Sequence, residues 1–309
     1  MRVFITGASG WIGSAVVPEL IEAGHRVVGL ARSEASAEAL AAAGAEVRRG
    51  SLDDLDVLRE AASEADGVLH LAFKHDIAFS GDFQGATDAD RRAIDAFGDA
   101  LADSGKPFVI ASGLLGLAPG RVSSEEDGQT ADPGAPTGGP AGRQDNARAT
   151  IALASRDVRS SVVRLPPTVH GDGDQGFVPS LIATARGKGV SGYVGDGSQR
   201  WPAVHRADAA RLFRLALENA PAGTTLHAAA EEGVELRSVA ETIGRHLGVP
   251  AVSVTPEDAA GHFGWLAGMV SLDSPASSAL TRERFDWKPT GPGLVEDLDQ
   301  GHYFRAPAE

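Results

Sequence analysis

The sequence predicts an α/β fold: a doubly wound, parallel sheet of about seven strands with a smaller C-terminal α/β region. Three observations carry this. Apolar runs too short for helices recur along the first two thirds of the chain. Segments with helical spacing lie between them, and glycines mark the junctions. Strands that alternate with helices must run parallel, with helices covering both faces.

The elements follow in order. Val3–Thr6 is a buried strand closed by glycine, and Ser14–Ala23 is a helix with Val17, Leu20 and Ile21 on one face. Pro18 sits early in that helix, where its missing N–H costs least, and Gly24 ends it. Val27–Ala31 is the second strand, Ala35–Ala43 the second helix and Glu46–Arg49 the third strand. Leu55–Ala62 is a helix with Asp54 as its cap. Gly67–Phe73 is the fourth strand, Asp88–Ser104 the next helix and Pro107–Ala111 the fifth strand. A helix at Ala147–Ser155 leads to the sixth strand, Ser161–Leu165. Beyond it, Phe177–Arg186 and the amphipathic Ala207–Glu218 read as helices, and Thr224–Ala228 as a seventh strand. Val234–Leu247 is a further helix and Ala251–Val254 a short strand.

The pattern lapses at 117–146, where Pro, Gly and Asp argue against any long helix or strand. A loop of that length is expected either as a mobile flap over a site or as a disordered segment. The fold divides into residues 1–165 plus 203–231 for the main sheet, and 166–202 plus 232–309 for a second, substrate-binding domain.

Bulk properties narrow the function. A net charge of −14 argues against a nucleic-acid partner, which calls for a basic face. The absence of cysteine removes disulfides, thiolate catalysis and Cys-held metals, and fits a cytoplasmic protein. MRVFITGASG is too short an apolar run for a signal peptide, and no window suits a transmembrane helix. No metal-ligand spacing such as HExxH occurs, HGDGD at 170–174 reads as a turn, and no G-x-S-x-G elbow points to a hydrolase.

The strongest motif is TGASGWIG at 6–13, between the first strand and the first helix. Gly7 permits the tight turn, Gly10 lets the backbone approach a diphosphate, and Gly13 lets helix and strand pack closely. The unpaired amides at the helix start face the anion. The helix dipole adds on the order of 1 kcal/mol, so several hydrogen bonds must act together. Ser9, Trp11 and Ile12 complete the cradle.

With GxxGxxG at this place, GSLDD at 50–54, HLAF at 70–73, RLPPTVHG at 164–171, WPAVHRADAARL at 201–212 and TRERFDWKPTGPGL at 281–294, the chain resembles the extended short-chain dehydrogenase/reductase superfamily, in its NAD(P)-dependent epimerase/dehydratase branch. The resemblance spans essentially the whole chain. It implies a Rossmann sheet, a nicotinamide coenzyme, a small-molecule substrate and a homodimer. It places Ser51 and Leu52 at the adenine, Ala72 and Phe73 at the nicotinamide ribose, and Pro166 beside the coenzyme after the sixth strand. Ser51 stands where an Asp is common.

The end of the second strand reads Ala31-Arg32-Ser33, without the acid that would hold a ribose 2′-OH. Arg32 and Ser33 suit a 2′-phosphate, so NADP is favoured over NAD. Members of the family that move a hydride usually use Ser, Tyr and Lys, with Lys four residues after Tyr. The only tyrosines are Tyr193 and Tyr303, and neither is followed by Lys at that spacing. The pair should fall near Arg143 and Ala147. Ser112, at the end of the fifth strand, keeps a serine close to the expected place. His170, at the carboxyl edge of the sheet, is the candidate proton shuttle, against a structural reading of the same residue. Lys74 and His75 share that edge, with a loop-surface role as their alternative. Arg143 is a candidate to hold an acidic substrate or the coenzyme, and His205 reads as structural. Two functions stay open: an NADP-dependent oxidoreductase acting on a small carbonyl or alcohol with a non-standard proton relay, and a catalytically silent NADP(H)-binding sensor.

Overall fold

The computed structural model describes residues 1–130 and 139–305. The first half comprises β1 (Arg2–Thr6), α1 (Gly13–Glu22), β2 (Arg26–Ala31), α2 (Glu34–Ala42), β3 (Glu46–Arg49), α3 (Leu55–Glu64) and β4 (Gly67–His70). Then come α4 (His75–Phe79), α5 (Phe83–Leu101), β5 (Pro107–Gly113), α6 (Gly139–Ala152), β6 (Arg159–Leu165) and β7 (Thr168–His170). They are followed by α7 (Phe177–Lys188), β8 (Ser191–Val194), β9 (Arg200–His205), α8 (Arg206–Asn219), β10 (Thr224–His227), β11 (Glu231–Glu235), α9 (Leu236–Leu247) and β12 (Ala251–Val254). Short helices at Ala259–Phe263, Ala267–Val270, Ala279–Phe285 and Leu294–Asp299 complete the C-terminal part.

Seven strands form one sheet in the order β10–β6–β5–β4–β1–β2–β3. All its pairings are parallel. The order reverses between β1 and β4, which opens a crevice beyond their carboxyl ends. Alternation along β1 shows why both faces are covered. Val3 and Ile5 pack with Val16, Leu20, Leu212 and Phe213 on one side, while Phe4 packs with Leu58, Phe97 and Phe108 on the other.

The smaller region holds a three-stranded sheet, β11–β9–β7, and a two-stranded one, β12–β8. Trp11 ties it to the main sheet, its indole N–H donating to the Val169 carbonyl at 2.8 Å. The buried Trp287 donates to the Asp208 carbonyl at 3.0 Å, and the Asp208 carboxylate accepts the Thr290 and Gly291 amides.

Several expected boundaries move. The fourth strand stops at His70 rather than Phe73, because β5 pairs with it only as far as His70 and Ile110. The next helix begins at Phe83, not Asp88, with the Asp82 carboxylate accepting the Gly85 amide at the cap. The helix expected from Ala147 starts eight residues earlier, at Gly139. Pro140 lies in its first turn, where a missing amide goes unnoticed. The expected flap is thus shorter than 117–146, and its residues 131–138 lie outside the described residues. Its described part, 117–130, is fastened down. The buried Glu125 carboxylate accepts from the Thr281 amide at 2.7 Å and hydroxyl at 2.6 Å, and Ser123 pairs with Ala276.

Candidate functional site

The loop from Gly7 to Ile12 turns tightly, with Gly10 N donating to Gly7 O at 3.0 Å and Ser14 N to Gly10 O at 2.8 Å. Gly7 has φ +70°, and a Cβ there would lie 2.7 Å from the Ala72 amide. The cradle and the end of β4 therefore touch at backbone level. A Cβ on Gly13 would meet Gly7 O at 2.1 Å. Gly10 differs: among the described residues, a Cβ there would have Gly7 O, at 3.2 Å, as its only neighbour within 4 Å. Among the described residues no side chain caps α1, Ser9 and Gly10 are exposed, and Ile12 is half-buried. Open space above Gly10 and uncapped amides fit a dinucleotide diphosphate. Beside them, Arg206 stacks on the Trp11 ring at 4.1 Å.

At the next strand end, Arg32 is exposed and reaches Asp76 at 3.6 Å. The Ser33 hydroxyl does other work: it accepts from the Ser36 amide at 3.2 Å, capping α2. Glu34 is drawn away by Arg49, at 2.5 Å. The Ser51 amide and hydroxyl both donate to Asp54, at 2.7 and 2.9 Å, and Leu52 is buried beside them. Lys74 does not stand free. Its ammonium holds both Asp53 oxygens, at 2.6 and 2.7 Å.

Behind the cradle lies a network the sequence analysis did not anticipate. Buried His70 bridges the Thr6 hydroxyl at 2.6 Å and the Asp90 carboxylate at 3.0 Å. Asn146 donates to the other Asp90 oxygen at 2.7 Å. Burial alone would raise the Asp90 pKa, but His70, then the Arg143 charge and Asn146, outweigh it and hold the carboxyl below its ordinary value. The only hint in the sequence was a polar residue, His70, inside an apolar strand.

Arg143 faces this network from α6. Its guanidinium lies 4.2 Å over the Phe73 ring and donates to the Ala111 carbonyl at 3.1 Å. Desolvation lowers its pKa, while Asp90 opposes the shift. Ser112, the next residue along β5, is buried, and its hydroxyl has no hydrogen-bond partner among the described residues. His75 is exposed to solvent, but its ring packs against Phe73 and Phe79, which strips part of its water. That desolvation, and next the Arg143 charge, lower its pKa to about 4. Ala147, one turn beyond Arg143, is buried in the core.

His170 sits apart from this group. Its Nδ1 bonds Asp297 at 2.9 Å, its ring packs 5.6 Å from His205, and it is wholly buried. Its contacts join β7 to the C-terminal helix Leu294–Asp299, and its Nε2 has no hydrogen-bond partner among the described residues. His205 caps α8 through the Ala207 amide. Pro166 is buried just beyond β6. Among the described residues no helix is long and apolar enough to cross a membrane, and no His, Asp and Glu cluster suits a metal ion.

A parallel sheet with a glycine cradle at its switch point defines a dinucleotide-binding α/β protein. The model of the NAD dependent epimerase/dehydratase family matches residues 3–229, and the chain belongs to that family. It is 46% identical over 304 residues to "Uncharacterized protein C2A9.02" of Schizosaccharomyces pombe, covering 98% of this chain and 100% of that one. It is 28% identical over 289 residues to a 4-hydroxy-2-methyl-3-oxo-4-farnesyl-3,4-dihydroquinoline-1-oxide ketoreductase of Stigmatella aurantiaca, covering 89% and 84%. The solved structure of MoeE5 with UDP-glucose and NAD shares the fold, with TM-score 0.74 at 23% identity over 98% of this chain and 97% of that one.

Proposed function

We propose that this chain is an NADP-dependent oxidoreductase that interconverts a small carbonyl compound and its alcohol, with Arg143 taking over part of the work of the missing tyrosine. One observation carries the reading: a half-buried guanidinium bonds the Ala111 carbonyl at the carboxyl edge of the sheet, and the next residue, Ser112, is buried with a hydroxyl that has no hydrogen-bond partner among the described residues. The ketoreductase relative supports the reaction class.

Gly7, Gly10, Gly13 and the uncapped amides of α1 would hold the diphosphate. Arg32, bound only loosely to Asp76, would hold a 2′-phosphate, and Glu34 is turned aside by Arg49. When bound, the reduced coenzyme supplies the hydride that reaches the carbonyl carbon. The C=O electron pair then moves on to oxygen. Arg143 stabilises that charge, Ser112 orients the oxygen, and water supplies the proton, because a guanidinium does not give one up near neutral pH.

The test is melting temperature with NADPH and NADH, followed by NADPH consumption over a panel of carbonyl compounds. NADPH should stabilise the protein more than NADH, and Arg32→Ala should abolish the difference. An unchanged preference in Arg32→Ala would refute the coenzyme assignment. The absent Tyr-x-x-x-Lys pair favours a second reading, a silent NADP(H) sensor. Tight coenzyme binding with no turnover on any compound would establish it.

A further inference from the structure

A row of aromatic rings leads from the protein surface to Arg143. Trp265, in the turn Gly264–Leu266, touches Phe79 of α4 with centroids 5.0 Å apart. Phe79 stacks on His75 at 5.6 Å, His75 meets Phe73 at 5.1 Å, and Arg143 lies over Phe73. Phe177 braces the outer end, 6.4 Å from Phe79 and 5.8 Å from Trp265.

Core packing does not account for the outer pair. Trp201, a core tryptophan, is 0% exposed, whereas Phe79 is 52% and Trp265 54% exposed. Large apolar side chains left in water and touching across two separate parts of the chain mark a binding surface. The two sit on opposite banks, Phe79 after β4 and Trp265 in the C-terminal region. The rings themselves carry no permanent charge, Asp76 beside His75 is paired with Arg32, and the Arg143 guanidinium lies at the inner end. A nucleotide sugar brings a diphosphate and a polar ring, and these rings would leave both without partners. A flat apolar molecule with one carbonyl matches the row in shape and its inner end in charge.

We infer that the site takes a planar, uncharged aromatic carbonyl compound, which packs against the row from Trp265 to Phe73 with its oxygen toward Arg143. This rests on the reading of the site as a carbonyl oxidoreductase and narrows its substrate class. Phe79 and Trp265 stand too close for a ring to slip between them, since that needs about 7 Å, twice the van der Waals separation of stacked carbons. The bound ring therefore lies against their exposed edges rather than between them.

The test uses calorimetry on the full chain saturated with NADP+, which cannot reduce a ketone, with 2-acetylnaphthalene and its saturated decalin analogue as probes, and follows NADPH oxidation in a separate assay. The aromatic ketone should bind at least ~10-fold more tightly, and Trp265→Ala and Phe79→Ala should each weaken it by about 10-fold. The melting-temperature rise with NADPH should be unchanged in both variants. Trp265→Leu and Phe79→Leu, which keep apolar bulk but lose the ring, should weaken binding comparably and guard against misfolding. Equal affinity for the two ketones, or displacement of the aromatic one by UDP-glucose, would overturn the inference. Aromatic selectivity without any NADPH oxidation would leave this inference standing and remove the oxidoreductase reading. Turnover with an aliphatic preference would do the reverse.

Discussion

The Arg143 guanidinium lies 4.2 Å over the ring of Phe73 while donating to the carbonyl of Ala111, 32 residues earlier. This contact fixes a cation where α4, α5 and β5 converge, and Asp90 offsets its charge from behind. Replacing it with methionine keeps bulk and removes charge. Arg143→Met should lower kcat by about 10²-fold or more, the usual cost of losing one donor to a developing oxyanion. NADPH affinity should change little, and Arg143→Lys should recover part of the rate. Steady-state kinetics with calorimetry checks this. A variant that loses coenzyme affinity but keeps kcat would place Arg143 at the coenzyme instead.

The place where a lysine would pair with a tyrosine at 143 is closed. Ala147 lies one helical turn on and is 2% exposed, in the cluster that includes Phe97 and Leu153. A lysine there would have to bury an ammonium or push the helix aside. Ala147→Lys should therefore destabilise the fold by roughly 2–4 kcal/mol, read by urea unfolding. Little or no loss would show room for the cation and weaken the case for a distinct proton relay.

Gly10 and Gly13 separate binding from folding. A methyl on Gly13 would come within 2.1 Å of Gly7 O and 2.6 Å of the Ala8 Cα, so backbone must move. A methyl on Gly10 would meet only Gly7 O, at 3.2 Å, and otherwise fill the open cradle. Gly13→Ala should lower the melting temperature of the coenzyme-free protein by several degrees, on the order of 2 kcal/mol or more. Gly10→Ala should leave it nearly unchanged while cutting NADPH affinity about 10-fold or more, through one displaced phosphate oxygen and its hydrogen bonds. Equal behaviour of the two variants would remove the cradle as the binding element.

The main sheet was legible because most of its strands are local apolar runs that end at a glycine or a polar turn, and the polar β3, Glu46–Arg49, is set off by its place between two helical segments. Of the smaller sheets only the strand Ala251–Val254 was legible. Thr168–His170 is three residues long, and Arg200–His205 carries Arg, Pro and His, so neither stands out as a strand. Pairing between distant segments creates them: β9 meets β7 and β11 over gaps of tens of residues. The cradle was readable because its requirements are local backbone ones. The His70–Asp90–Asn146 network was not, since it joins residues 20 and 56 apart that share no periodicity. His170 illustrates the same gap. Its place at a strand's carboxyl end was visible, but its partner, Asp297, lies 127 residues away and is brought to it only by the fold.

His227 predicts how the fold responds to acid. It ends β10 with no exposure, its Nδ1 bonding the Ser277 carbonyl at 2.9 Å and its Nε2 facing Arg164 at 3.3 Å. Nδ1 therefore carries the proton and Nε2 accepts from the guanidinium. Burial, then the Arg164 charge, lower its pKa to about 3, against 6.5 for the free side chain. The unfolded chain thus binds a proton below pH 6.5 that the folded chain refuses until near pH 3. Stability is full above pH 6.5 and falls as pH drops, by up to ~1.4 kcal/mol per pH unit from this one group. Urea unfolding between pH 6.5 and 4.5 measures the slope in a range above the titration of Asp127, which Arg121 holds near 2 against the opposing effect of burial. His75, His205 and His262 are also depressed and add to the wild-type slope, so the informative quantity is the difference from His227→Gln. That variant removes the titrating ring, so its slope should be shallower by about 1 kcal/mol per pH unit. Parallel slopes would mean that His227 is protonated in the folded protein, and Arg164 would then have to turn away from it.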